Sequence, residues 1–453
     1  MIILKLGLSC RFFFPIIGTY KSKNINFLFY TSVIPLVMYL FLLSNRSQPN
    51  LIPSYGTILI TLVILLWTPT IYARYQRSYW SKFHLYSLRL SLLLSFLYMV
   101  FSRQSLVSLF IFFELSLIPI IAILFIGGSS NKKLEAGLYM FAFTNSSAFL
   151  FFAFLVLIRL SQNGISSFFY STASPYNSSL KAEGMYLSIP ILIYNLTSIV
   201  ILVKTPLFFV HIWLPKAHVE APVFASIILA RLLLKTGGYG YLTLSINYFR
   251  VLAQVDFSVC GILLISILAA VRCSTQVDIK ILIAYSSVNH ISIILCGIIL
   301  GLRSSTVGSV ILMIGHGVIS SVLFFLARDS YSQIRTRSSF FSLVLGKSNI
   351  NTVSWLILIL INAGLPPFLI FIGEVLILKA TLIYPFLILL FLINYIIIGY
   401  YRCLILVKLM LSTFPINVGR LIGAGLTPYI CNTVVLMHVL VLINITICHP
   451  WLR

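Results

Sequence analysis

KTPLFFVHIWLPKAHVEAPVFASIILARLLLK, residues 204–235, is the stretch whose reading decides the rest. Long apolar runs flank it on both sides. Within it stand Lys204, His211, Lys216, His218, Glu220, Arg231 and Lys235, with Pro206, Pro215 and Pro222 between them. The whole chain is 60% hydrophobic and only 9% charged. Ionisable side chains in such surroundings are costly, so the protein around them has to answer their charge.

The surroundings are those of a membrane protein. Mean hydropathy is +1.06. Apolar runs of about 20 residues, the length that crosses a hydrocarbon core of about 30 Å, recur from end to end. Backbone groups in lipid must be satisfied internally, so these runs are helices. The alternating ten-residue segments of a membrane barrel are missing. The expectation is an all-α polytopic membrane protein with about fourteen spans. They lie at 1–18, 26–44, 57–73, 84–101, 104–126, 136–160, 187–210, 222–247, 252–271, 277–302, 304–327, 354–379, 381–409 and 430–449. The Ser- and Asn-rich interval 161–186 and the basic interval 328–349 read as loops, and no soluble domain can be placed. The first run, interrupted by Arg11 and with no small-residue cleavage site after it, reads as a first helix and not a leader.

The formal charge of +23 is spread singly between apolar runs. It makes no stripe with interleaved aromatics, so a nucleic-acid partner is not expected; the partner is the bilayer. Lys and Arg concentrate in the odd-numbered connections, which puts those on the side of synthesis. The seven cysteines make no CxxC pair and read as small helix residues, with no metal site expected.

Acids are so few that each can be weighed. Glu183, Asp256 and Asp329 fall in loops or at span ends. Asp278 and Lys280 flank a span start and read as an interfacial charge pair. Glu135 stands at a helix start, where a carboxylate is favoured. Glu114 lies mid-span, in SLFIFFELSLIPIIAILF, and needs a cationic partner. Lys204 is also mid-span and has no acid near it in sequence, so chemistry suggests the pair, although spacing cannot give the distance. A unit pair at 4 Å in an effective dielectric near 20 is worth about 4 kcal/mol, enough to decide whether a buried lysine keeps its proton.

Lys235, His290, His316 and Glu374 extend the series over further spans. Each alone has a plainer reading, as a packing residue or a side chain reaching for the interface. Arg231 and Lys235, one turn apart, could both reach out in this way. Gly315 and Gly317 flank His316 and permit close helix approach. Lys, Glu and His together on separate spans are what a proton relay uses. VKTPLFFVHIW (203–213) also resembles GLPPFLIFIGE (364–374): in each, Pro206 or the Pro366–Pro367 pair interrupts a span. Paired interrupted helices point to a transporter's midplane site.

LPKAHVEAPV (214–223), RLLLKTGGYG (231–240), IAYSSVNHIS (283–292), GHGVISSVLFFLA (315–327) and NAGLPPFLIFIGE (362–374) together resemble one family. It is the chain 4 group of antiporter-like membrane subunits of NADH:ubiquinone oxidoreductase, respiratory complex I. The resemblance extends over about residues 100–410. It implies an antiporter-like fold with two inverted five-helix repeats and broken helices 7 and 12. Residues 1–83 would hold helices 1–3, 84–250 the first repeat, 251–410 the second and 411–453 the last helix. It also implies proton-transfer roles for Glu114, Lys204, Lys235, His290, His316 and Glu374. His211, Lys216, His218 and Glu220 would shape a helix end and its access route. NAD, FMN, iron–sulfur clusters and ubiquinone would be bound elsewhere in the complex, and none by this chain. Membrane-arm subunits 2 and 5 would flank it; the shortness of the C-terminal region argues against its being subunit 5. Its Phe-, Ile-, Leu-, Tyr- and Ser-rich composition suggests a mitochondrially encoded copy in the inner membrane. Two other readings stay open: a subunit of a stand-alone cation/proton antiporter, and a membrane scaffold that transports nothing.

Overall fold

The structure is a computed structural model describing residues 56, 59, 83–102, 106–127, 132–171, 203–208, 210–248, 255–334 and 349–410. The spans expected at 1–18, 26–44 and 430–449, most of 57–73 and 187–202 lie outside the described residues. The described residues are helical, with no strand among them. The helices are α1 (Phe83–Ser102), α2 (Leu106–Gly127), α3 (Lys133–Ser171), α4 (Trp213–Glu220), α5 (Val223–Ile228), α6 (Leu234–Tyr248), α7 (Val255–Ser274), α8 (Ile279–Ile299), α9 (Arg303–Ile334), α10 (Asn349–Asn362), α11 (Leu369–Thr381) and α12 (Pro385–Met410). A π-helical segment, Leu229–Leu233, joins α5 to α6 as one continuous span.

Among the described residues, four helical stretches are long and apolar enough to cross a membrane: Val107–Phe125, Ile279–Ile299, Arg303–Arg328 and Pro385–Val407. They differ in what they face. Ile118 on α2, Phe149 and Phe152 on α3, and Phe386 and Ile396 on α12 are all exposed apolar residues. That is the surface a lipid-facing helix presents, since lipid tails are as apolar as the side chains. The apolar stretch of α9 is buried throughout and forms the hub, with α8, α10, α11 and the π-helical span packed around it.

Without a hydrophobic drive between helices, close packing has to come from small residues. The α9–α11 crossing does this with Gly308 and Gly373. A methyl on Gly373 would stand 2.9 Å from the Gly308 carbonyl oxygen and 3.0 Å from the Leu312 nitrogen. Gly315 likewise lets α9 approach Leu369 and Ile370. The buried Ser and Thr that dilute these helices are answered locally. Ser116 donates to the Phe113 carbonyl at 2.6 Å, Thr144 to Met140 at 2.7 Å and Ser287 to Ala284 at 2.6 Å. A hydroxyl returned to its own helix leaves no unsatisfied donor in an apolar interior.

Two expectations are corrected. The interval 161–186 does not open as a loop at 161, because α3 runs on to Ser171. No proline stops it, and helical backbone bonds outweigh the polarity of SQNG. The interval 328–349 is also shorter than expected, since α9 continues to Ile334 and α10 begins at Asn349. Asp278 and Lys280 stand at a span start, as expected, and each also serves a helix end. The Asp278 carboxylate caps α8, accepting the Lys280 backbone N–H at 2.9 Å. The Lys280 ammonium donates to the carbonyls of Val219 and Ala221, at 3.2 and 3.4 Å, closing the end of α4. Among the described residues, Cys260, Cys273, Cys296 and Cys403 form no disulfide.

Gly373→Ala should destabilise the assembled protein by about 1–3 kcal/mol through overpacking. Gly261→Ala and Gly399→Ala, where an added methyl meets nothing within 4 Å, should be neutral or stabilising by helix propensity. Thermal denaturation of the three variants in detergent checks the contrast.

Candidate functional site

The stretch 204–235 folds as three pieces. The span expected at 187–210 is helical at Val203 and Lys204, then gives way to turns around Pro206, over 205–208 and 210–212. Proline supplies no N–H to continue the ladder. α4 follows, and Pro222 starts the next span as the residue before its first turn. The second break has the same cause. α10 ends at Asn362 and α11 begins at Leu369, with a cis Pro366–Pro367 peptide bond between them. Gly364 adopts φ +67° there, a conformation that side chains with a Cβ rarely take. It also lies against the site: a methyl on it would stand 3.1 Å from the Tyr395 hydroxyl and 3.4 Å from Glu374 Cδ.

At the first break Lys204 forms an ion pair with Glu114. Lys204 is 5% exposed and Glu114 26%. The ammonium also lies over the rings of Phe110 and Phe113, 4.0 and 4.1 Å from their centroids. Both aromatics come from α2, so one helix supplies the acid and the cation–π faces. Pro119, one turn further along α2, interrupts its ladder near the acid.

Gly237 on α6 carries the connection to the next group. An added methyl there would stand 3.2 Å from the Thr205 nitrogen and 3.4 Å from the Lys204 carbonyl carbon. The span bearing Lys235 is thus laid against the break bearing Lys204. Lys235 is fully buried and opens α6 just after the π-helical segment. Its ammonium donates to the Ala230 carbonyl, five residues back in that segment, at 2.5 Å. Such π-bulges leave carbonyls to be answered from outside the regular ladder, and occur often at functional sites. Arg231, on the same segment, is buried as well, so neither basic group reaches for the interface.

From Lys235 the ionisable groups follow one another through the core. Lys235 Nζ is 2.8 Å from His316 Nδ1. The rings of His316 and His290 have centroids 5.2 Å apart. His290 Nδ1 is 3.5 Å from Glu374 Oε1, and Tyr395 donates to Glu374 Oε2 at 2.7 Å. Lys235, His316, His290 and Glu374 come from four different spans, and each is no more than 2% exposed. Sequence reading assigned no role to two members of this cluster, Tyr395 and Arg402. Arg402 Nη2 is 3.3 Å from His290 Nε2. The signal for it was present, as an arginine in an apolar span, but NYIIIGYYRCLIL looks like a helix end with a side chain free to reach out.

The remaining expected residues lie at the edge of this series. His211 stacks on Phe208 at 4.7 Å and meets the edge of Tyr285 at 5.2 Å. His218 is buried and stacks on Phe324 of α9, with centroids 4.7 Å apart. Glu220 closes α4. Lys216 is exposed, pairs with Glu135 of α3 at 3.1 Å and covers the Tyr139 ring at 3.5 Å. The Tyr139 hydroxyl, then Glu135, raise its pKa above the usual 10.5. A raised lysine adds stability that is fully present below 10.5 and lost only as pH climbs through the higher folded value.

A family model for the transmembrane part of NADH:quinone oxidoreductase and Mrp antiporters matches residues 103–398. NADH-ubiquinone oxidoreductase chain 4 of Artemia franciscana is 34% identical over 337 residues, covering 73% of each chain. The protein of that name from Ceratitis capitata is 36% identical over 336 residues, 71% of this chain and 70% of its own. Two solved structures share the fold. A chain of the archaeal membrane-bound sulfane sulfur reductase has a TM-score of 0.77 at 15% identity, covering 97% of this chain and 93% of its own. A chain of respiratory complex I from Thermus thermophilus has a TM-score of 0.74 at 21% identity, covering 99% and 98%.

Glu114→Ala should cost about 3–5 kcal/mol of stability, because it leaves a buried lysine without its acid. The double variant Glu114→Gln/Lys204→Met should recover most of that. Lys216→Ala should lower the denaturation midpoint only slightly, and by the same amount at pH 6 as at pH 9, as expected of an exposed pair whose stabilisation is fully present below 10.5. Denaturation midpoints of the purified variants test both statements.

Proposed function

The chain belongs to the NADH:quinone oxidoreductase/Mrp antiporter family of membrane proteins, and from that premise we propose that it is a proton-translocating membrane-arm subunit of NADH:ubiquinone oxidoreductase. The observation that carries the reading is the run of contacts from Lys235 through His316 and His290 to Glu374, buried on four spans. Each member can hold and release a proton, and no apolar layer separates neighbours. Glu114 and Lys204 form the loading end. When Glu114 is drawn away, Lys204 loses the charge that stabilises its ammonium and passes the proton towards Lys235. The reverse movement reloads it. Lys235, His316 and His290 relay the proton, and Glu374, hydrogen-bonded by Tyr395, receives it. Pro206, Pro366 and Pro367 break the two helices so that backbone dipoles, and not a continuous ladder, face the axis. His211, Lys216, His218 and Glu220 shape the access route.

In this reading the antiporter-like fold holds about fourteen spans. Helices 1–3 (1–83) precede two inverted five-helix repeats, 84–250 and 251–410, and a last helix lies in 411–453. The relatives carrying the chain 4 name support a place in complex I; in this reading the chain lies between membrane-arm subunits 2 and 5, in the mitochondrial inner membrane. Electron transfer from NADH through FMN and iron–sulfur clusters to ubiquinone belongs to other subunits, and this chain holds no cofactor of its own. Its share of the enzyme is the proton step, driven by movement passed along the membrane arm. The second reading, a stand-alone cation/proton antiporter subunit, is kept because the matching family includes such antiporters. Co-purification with flavin and iron–sulfur subunits selects the first.

In whole complex reconstituted into vesicles, Lys235→Ala and Glu374→Gln should each slow this chain's proton route by about 10²-fold, the usual contribution of a placed proton donor or acceptor. The measurement is protons moved per NADH oxidised. Lys204→Ala should do the same. Unchanged ratios in all three variants, with assembly intact, would leave a scaffold as the better description.

A further inference from the structure

Arg402 lies on α12, 4% exposed, and its guanidinium contacts the imidazole of His290. A guanidinium has five N–H donors and no acceptor. At the 3.3 Å contact between Arg402 Nη2 and His290 Nε2, the arginine is therefore the donor and Nε2 the acceptor. In the neutral ring the proton then sits on the other nitrogen, Nδ1. That is the atom facing Glu374 Oε1, at 3.5 Å. The sequence offers no way to see this, because residues 290, 374 and 402 meet only in the fold.

A second observation concerns the other side of Arg402. A cavity of about 40 Å³ is lined by Ser286, Asn362, Tyr401 and Arg402 among apolar side chains. It extends to Ile279 and Ile405, near helix ends on the side of the Asp278–Lys280 connection. That volume has room for a small number of waters beside several polar groups. Arg402 thus stands between a polar cavity and the Nε2 edge of His290. Its Nε makes no hydrogen bond, so the guanidinium is not tied on every side.

We propose that Arg402 is a positioning residue that holds His290 in its Nδ1–H tautomer, aimed at Glu374, and closes the Nε2 edge to the cavity. This rests on the proton-transfer reading above. The groups that face Arg402 are His290 on α8, Glu374 on α11, Asn362 on α10, Cys273 on α7, and Tyr395 and Tyr401 on α12. In transfer, the His290 Nδ1–H bond breaks, its electron pair stays on Nδ1, and an O–H bond forms at Glu374 Oε1. The proton that a protonated His316 gives up bonds to Nε2 in the same exchange, so His316 returns to its neutral form and the His290 ring gains no net charge. A protonated Nε2 is itself a donor and can no longer accept from Arg402. The guanidinium has to turn away before the proton enters, and its return resets the tautomer.

The test uses infrared difference spectra of the whole complex in vesicles, with ¹⁵N-labelled histidine. His290→Ala assigns the ring bands of His290, and the wild type should show the Nδ1–H form. Arg402→Lys, also a pure donor, should retain it and pump close to normally. Arg402→Met should shift the tautomer ratio by about tenfold, the scale of one charge-assisted hydrogen bond, and lower the protons moved per NADH. Arg402→Gln, whose amide can accept as well as donate, should give mixed tautomers and stands in if the methionine variant does not assemble. An unchanged Nδ1–H signal in either assembled variant overturns the proposal. If Lys204→Ala and Lys235→Ala pump normally while Arg402→Gln still shifts the tautomer, the proton-transfer reading fails and the tautomer lock stands.

Discussion

Every buried charge in this protein has to be answered by another group, because the bilayer offers none. The ion pair of Lys204 with Glu114 meets that constraint most directly. Its position depends on three features: a helix broken at Pro206, an acid in the middle of α2 and two phenylalanine faces beneath the ammonium. A complete helix at 204–212 would have carried the lysine on a regular ladder with its direction set by the helix. The break frees that direction.

The same constraint explains the packing around α9. Four ionisable side chains on four spans must come within contact of one another, and ordinary apolar side chains would hold those spans too far apart. Gly308, Gly315 and Gly373 remove that spacing at the α9–α11 crossing, and Gly237 does so between Lys204 and the span of Lys235. Gly364, with φ +67°, lets the chain turn beside Glu374. Glycine costs helix stability, so its concentration beside the ionisable series shows closeness preferred over local propensity. Many buried hydroxyls run the other way: Ser116, Thr144 and Ser287 return their protons to their own helices, while polar contacts between spans include Tyr239 to the Phe101 carbonyl, Ser309 to the Ile294 carbonyl, Tyr395 to Glu374 and the Asn289–Asn394 pair.

The family match over 103–398 falls within the stretch of about 100–410 that the motifs marked out. Helix limits were also legible over much of this part. The expected spans 84–101 and 104–126 are found as Phe83–Ser102 and Leu106–Gly127. Apolar length works as a ruler there because membrane thickness sets it. The ruler fails where a helix leaves the apolar layer, so α3 and α9 run on to Ser171 and Ile334 past the point where hydropathy falls. It also fails to see the π-helical segment at Leu229–Leu233, since LARLL has the composition of any helix. Nor does it see what Asp278 and Lys280 do beyond marking a span start, since the helix start and the neighbouring helix end that they cap meet only in the fold.

By itself the sequence determined that the chain is a bundle of membrane helices, that two of them are interrupted by proline, and which Glu, Lys and His are too costly to be incidental. Those follow from local facts: the length of an apolar run, the missing N–H of proline and the price of a charge in lipid. Tertiary structure alone decided which of these groups meet. It joined Lys204 to Glu114 across 90 residues, Lys235 to His316 across 81 and His290 to Arg402 across 112. It alone brought Tyr395 and Arg402 to the site, because contact between distant spans depends on helix crossing and rotation, and these are set by glycines and packed side chains acting together, not by any one segment.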